Sequence, residues 1–199
     1  MDSPPYIFAE PDLPTVLGNQ QRKLREEVSQ YPETSLVPGR FGATEAQVID
    51  KFSIASIEID WSKESPKKEE VKETRPGDFG RGRTIQRLEV VLRITVPFLG
   101  DRHIFNFSPT PFPNIVPKAL VREGELELVY QAPQHELARL RQEHDKNVGL
   151  IKSCVAMTNQ LLDVYHTQLP ALVRQALTAR RDQLNVVDMT GPHFLSHPE

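Results

Sequence analysis

Asp101 and His103 lie two residues apart and His144 stands further along the chain, and a carboxylate near imidazoles is the raw material of acid–base catalysis. A small hydrolase with an unfamiliar site at these three positions is therefore one functional alternative. The sequence offers it no nucleophile. No serine occupies a strand-to-helix elbow, and the single cysteine, Cys154, sits near an apolar helical stripe with no local histidine. Metal chemistry is also thinly supplied. His135 and His144 share one helical pattern nine residues apart, which does not put them on adjacent turns, and His193 and His197 are flanked by Gly191, Pro192 and Pro198. Asp78-Phe79-Gly80 has the letters of a kinase magnesium motif with no other kinase element around it. No catalytic residue, metal ligand or cofactor is assigned, and the chain reads as a protein that is not an enzyme.

Basic residues give the next alternative, a nucleic-acid-binding accessory protein. Its candidates are Arg81 and Arg83 in a glycine-rich stretch and Arg174, Arg180 and Arg181 near the C-terminus. Neighbouring Glu69, Glu70 and Glu73 weaken the first group, and no aromatic residues interleave with the second. With a net charge of -3, the whole chain has no electrostatic pull toward nucleic acid or anionic membranes. One cysteine excludes an internal disulfide framework. No run approaches the roughly 18 apolar residues of a membrane span, and the N-terminus lacks a signal-peptide pattern. The expectation is a soluble, cytoplasmic protein.

Several elements must carry these residues. Leu13, Val16, Leu17, Leu24 and Val28 predict an N-terminal helix over about 13–31, closed by Pro32. A second short helix is expected from Thr44, with Val48, Ile49 and Phe52 inward. The period then changes to two. Ile57, Ile59 and Trp61 mark a strand over 54–61, and Leu88, Val90, Leu92, Ile94 and Val96 mark the clearest strand of the chain. Between them, residues of about 63–83 hold five acids and seven bases among prolines and glycines, which predicts a disordered hairpin insertion. A turn at Leu99–Arg102 and a returning strand over His103–Phe107 follow, then a hairpin of Lys118–Arg122 and Glu125–Tyr130 around Glu123-Gly124.

The dominant pattern lies beyond Pro133. Apolar residues recur at three- and four-residue steps to Leu184, with Pro170 inside, predicting a long helical arm with a kink or short break near 167–169. Asn147, Thr158, Asn159 and Gln160 border that stripe, either fixing register or facing water. The expected organisation is an α+β fold: residues 1–133 as a small antiparallel sheet packed on an N-terminal helix, 134–185 as the arm and 186–199 as a tail. An amphipathic helix of this length needs cover, so Ile151, Val155, Leu161, Leu162, Leu169, Leu172 and Leu177 are the candidate interface with a second copy or a protein partner.

One resemblance adds to this reading. The strand ending in Val96-Pro97-Phe98-Leu99-Gly100-Asp101, then His103 to Phe107, Ser108-Pro109 and a proline-rich loop, with Asn159-Gln160 and Arg180-Arg181 later, is similar to a family of uncharacterised bacterial proteins associated with phage-defence gene neighbourhoods. It covers residues 85–185, approximately, and consists of turns and spacing. It implies a role beside TIR-type signalling domains found fused or adjacent in relatives, and it brings no catalytic residues. Any enzymatic effector is then expected on a different polypeptide. Together these features predict a non-enzymatic adaptor or sensor subunit that assembles through its C-terminal helices in a bacterial antiphage system, with no membrane partner.

Overall fold

A computed structural model describes residues 4–9, 11–76, 84–110 and 116–190. The fold is α+β, with N-terminal helices, a small antiparallel sheet and a long C-terminal helix. The chain divides into two compact units: Met1–Leu13 with Ala55–Gln160, and Pro14–Ile54 with Leu161–Glu199. This differs from a division at residue 133, because the last helix contributes its first half to one unit and its second half to the other.

The first unit is built on the sheet. Its strands are β1 (Glu58–Ile59), β2 (Ser65–Pro76), β3 (Thr84–Leu99), β4 (Leu120–Arg122) and β5 (Glu125–Pro133). β3 is central, pairing antiparallel with β5 and with β2 and β1 in turn, while β4 pairs with β5. The register sets Leu92 opposite Tyr130, Ile94 opposite Leu128 and Val96 opposite Leu126, so alternation puts these on one face. Leu126, Leu128 and Val96 are fully buried. The N-terminal segment is stitched into this unit by backbone bonds from Ile7 to Pro117 and from Leu13 to Ser108, and it buries Phe8 against Phe105.

Three sequence expectations for this unit are corrected. Residues 65–76 form β2 rather than a disordered insertion; 77–83, with Arg81, Arg83 and Asp78-Phe79-Gly80, lie outside the described residues. Twelve paired positions along β3 supply a backbone ladder in place of apolar burial, and the exposed Lys67, Lys68, Glu70 and Lys72 of β2 blunt a free edge. The strand expected over 54–61 is reduced to Glu58–Ile59, because a 3-10 turn at Trp61–Lys63 follows, with Asp60 accepting from the Ser62 amide. His103–Phe107 is not a strand. Arg102–Asn106 is a 3-10 helix, with the Asp101 carboxylate accepting from the His103 amide and Ile104 and Phe105 buried.

The second unit contains most of α1 (Leu13–Val28), α2 (Pro38–Phe52) and the second half of α3 (Leu137–Thr190). Its apolar core takes Leu17, Leu24 and Val28 from α1, Val48 and Phe52 from α2, and Leu162, Tyr165, Leu169, Val173 and Leu177 from α3. α2 begins at Pro38, not at Thr44, because a proline at the first helical position loses no hydrogen bond. Thr44 is buried within the helix, donating to the Ser35 carbonyl at 2.8 Å. α3 is continuous through Pro170, without the expected break, and extends past residue 185 into the expected tail; His193 and His197 lie outside the described residues. Pro170 is exposed, so its ring meets solvent and not the core.

Candidate functional site

The seven residues expected at an interface divide into two groups. Ile151, Leu162, Leu169 and Leu177 are buried by the chain itself, so they are core positions and are corrected as docking residues. Val155, Leu161 and Leu172 are half-buried. The stripe finds its cover because two asparagines and a tyrosine bring main chain onto α3, so the helix needs no second molecule for most of its apolar side.

Within the first unit, Asn147 accepts from the Lys118 amide at 3.2 Å and donates to the Lys118 carbonyl at 3.0 Å. Asn159 does the same for Ile57, at 3.1 and 2.8 Å. Each side-chain amide thus satisfies both main-chain groups of one residue, as a neighbouring strand would. Asn147 also donates to the Tyr130 hydroxyl at 3.1 Å. Thr158 is fully buried with no hydrogen-bond partner for its hydroxyl among the described residues, and Gln160 is exposed. In the second unit, Tyr165 donates to the Phe52 carbonyl at 3.0 Å.

The candidate hydrolase residues do not converge on one another. Asp101 serves the His103 amide, and the His103 side chain is exposed. The partners of His144 are Glu64, 2.9 Å from Nε2, and the Tyr130 hydroxyl, 3.3 Å from Nδ1. Burial pushes the Tyr130 phenol up to about 12, so this chain keeps its proton on the tyrosine at neutral pH and packs as a satisfied polar network. Cys154 is half-buried and its thiol is pushed up by burial, which favours the unreactive protonated form. No group of three histidine, cysteine or carboxylate side chains could hold a metal among the described residues.

The C-terminal arginines are already engaged in the second unit. Arg174 holds Glu45 through Nε and Nη2 at 3.0 and 2.9 Å, Arg180 donates from Nε to the Tyr31 carbonyl, and Arg181 lies over the Phe41 ring at 5.4 Å. These contacts tie α3 to the helices beside it and occupy Arg174 and Arg181, which weighs against an extended phosphate-tracking surface.

Large apolar residues left exposed include Tyr6, Val37, Leu99 and Leu137, and two on α3 that the apolar stripe did not contain. Met157 is 38% exposed in the first unit and Val164 is 56% exposed in the second. The signal for Val164 lay in the charges. From Leu161 to Val173 only Asp163 is charged, whereas Leu137–Lys152 carries Arg139, Arg141, Glu143, Asp145, Lys146 and Lys152. Gln168 and Ala171 continue the exposed face of α3 four and seven residues after Val164. The result is a neutral helical surface with an exposed branched apolar residue, and charge depletion is the compositional mark of an interface centre.

The chain is thus an α+β protein of two units whose described residues bring together no catalytic constellation. It matches no protein-family model, no curated protein and no solved structure. No helix among the described residues is long and apolar enough to cross a membrane.

Proposed function

We propose that the protein is a non-enzymatic adaptor or sensor subunit of the cytoplasm, docking through the exposed face of the second half of α3. The observation that carries this reading is Val164, 56% exposed on a stretch of helix whose only charge is Asp163. The favoured occupant is a second copy of the chain. A surface with a single charge meets its own symmetry copy with few like charges to oppose, and a two-fold contact uses the same patch on both subunits. The strip of α3 from Leu161 to Val173 runs about 18 Å at 1.5 Å per residue, below the span of a standard interface, so association is expected to reverse on dilution. The resemblance to phage-defence proteins supports placing this assembly in an antiphage system.

Mass measured across a dilution series tests the reading. The wild type is expected to pass from dimer to monomer, and Val164→Glu, which places a charge in the dry contact, to weaken the dimer at least about tenfold, or about 1.4 kcal/mol. A wild-type chain that stays monomeric at high concentration, or a Val164→Glu variant that dimerises equally well, overturns it.

A further inference from the structure

A groove in the second unit, lined by α1 and α3, has a volume of about 410 Å³, within the range of small-molecule sites. Two guanidinium groups, Arg25 from α1 and Arg180 from α3, line it, and no carboxylate does. That is an unusual local balance in a chain of net charge -3. Nearby acids are directed elsewhere: Glu26 faces Arg22 at 3.8 Å, and Asp182 lines the adjoining depression and faces Arg181 at 3.8 Å.

The two arginines differ in how they are held. Arg180 is anchored by its Nε donation to the Tyr31 carbonyl at 3.1 Å, which leaves its terminal nitrogens without a partner among the described residues. The Arg25 side chain has no ion pair or hydrogen bond among them. Two like charges lining one groove with no carboxylate beside them favour an anion there, and the anchored Arg180 offers it two terminal nitrogens. Ser29, also at the groove, is already satisfied, donating to the Glu26 carbonyl and accepting from Gln30.

The remaining lining sets the ligand class. Leu172, Ala176 and Ala179 supply apolar lining, and Gln175 and Gln183 offer amides. We infer that this groove binds a phosphate monoester, its phosphate between Arg25 and Arg180 and its organic body on the alanines. A phosphate monoester carries close to two negative charges at neutral pH and matches two arginines, whereas a carboxylate carries one. This groove includes none of Val164, Gln168 and Ala171, and it stands whether or not the chain self-associates.

The full chain is titrated at fixed ionic strength with inorganic phosphate, with adenosine monophosphate and with a short single-stranded oligonucleotide, followed by calorimetry and amide chemical shifts. Saturable binding of the mononucleotide, tighter than that of phosphate, is expected. Arg25→Ala should weaken it roughly 10- to 100-fold, the usual worth of charge-assisted hydrogen bonds, and Arg22→Ala on the same helix should not. Arg180→Lys, which keeps the charge and gives up the anchored fork, is a second variant with an intermediate loss. An oligonucleotide that displaces the mononucleotide at lower concentration assigns the phosphate to nucleic acid; failure to displace assigns it to a free ester. Absence of saturable binding by any probe, or wild-type affinity in Arg25→Ala, overturns the inference.

Discussion

Replacing Gly100 by alanine is a sharp test of how the first unit is held. Gly100 follows β3 with φ +111°, a conformation that L side chains rarely adopt. A Cβ at this position would lie 2.2 Å from the Ser56 carbonyl oxygen, 2.9 Å from its carbon and 3.1 Å from Ile57 Cα. All three are main-chain atoms, so no rotamer change relieves the overlap. The neighbouring Asp101 amide bonds the Ala55 carbonyl, and Ile57 is held from its other side by Asn159. Backbone strain of about 1–3 kcal/mol and overpacking of about 1–3 kcal/mol together predict a loss of roughly 2–6 kcal/mol. Gly124 is the internal control. It has φ +71°, but an added methyl would lie 3.9 Å from its nearest neighbour, the Phe98 carbonyl oxygen, so alanine there should cost only the left-handed strain of about 1–2 kcal/mol. Urea unfolding followed by Trp61, the only tryptophan and a member of the first unit, gives both numbers. A Gly100→Ala midpoint no lower than that of Gly124→Ala, at equal slope, would refute the reasoning.

Two further outcomes follow from the polar contacts of α3. Asn159→Leu leaves the amide and carbonyl of buried Ile57 unpaired and should cost about 2–4 kcal/mol; combined with Gly100→Ala it should be clearly less than additive, since both displace the same segment, and strict additivity in the cycle counts against the coupling. The folded-state value of Tyr130, about 12, exceeds the ordinary 10, so the fold favours the protonated phenol. That contribution is whole below about pH 10 and is lost as pH rises toward 12, by up to roughly 3 kcal/mol. Tyr130→Phe should flatten the decline, and an unchanged alkaline slope in unfolding free energy would contradict the assignment.

Much of this architecture was legible because burial leaves a period in the sequence. α1, β3, the hairpin around Gly124 and α3 all announce themselves by alternation at 3.6 or at two. β2 did not, since its stability lies in backbone pairing with β3, and strings of lysine and glutamate read as disorder when burial is the only measure. The 3-10 turn at Arg102–Asn106 was hidden because Ile104 and Phe105, adjacent and both buried, break strand alternation in a way that a short apolar run cannot distinguish. Of the site, the sequence marked Asn147 and Asn159 as polar residues beside the stripe. Their targets lie 29 and 102 residues away, a distance no local pattern spans. The stripe itself revealed which side of α3 is apolar, but not which part of that side the chain would cover.

The paired asparagines also index α3 along its own axis. They stand twelve residues apart, about 18 Å of helical rise, and each recognises both main-chain groups of one fixed residue of the first unit. Sliding the rod by a single turn would strand both amides at once, so the helix has one seat and no neighbouring notch. The segment from residue 148 to 158 is therefore closed to insertions of any length, including a heptad that would preserve the helical phase. Natural variants of this protein should change the length of the rod beyond Leu177 before they change it there.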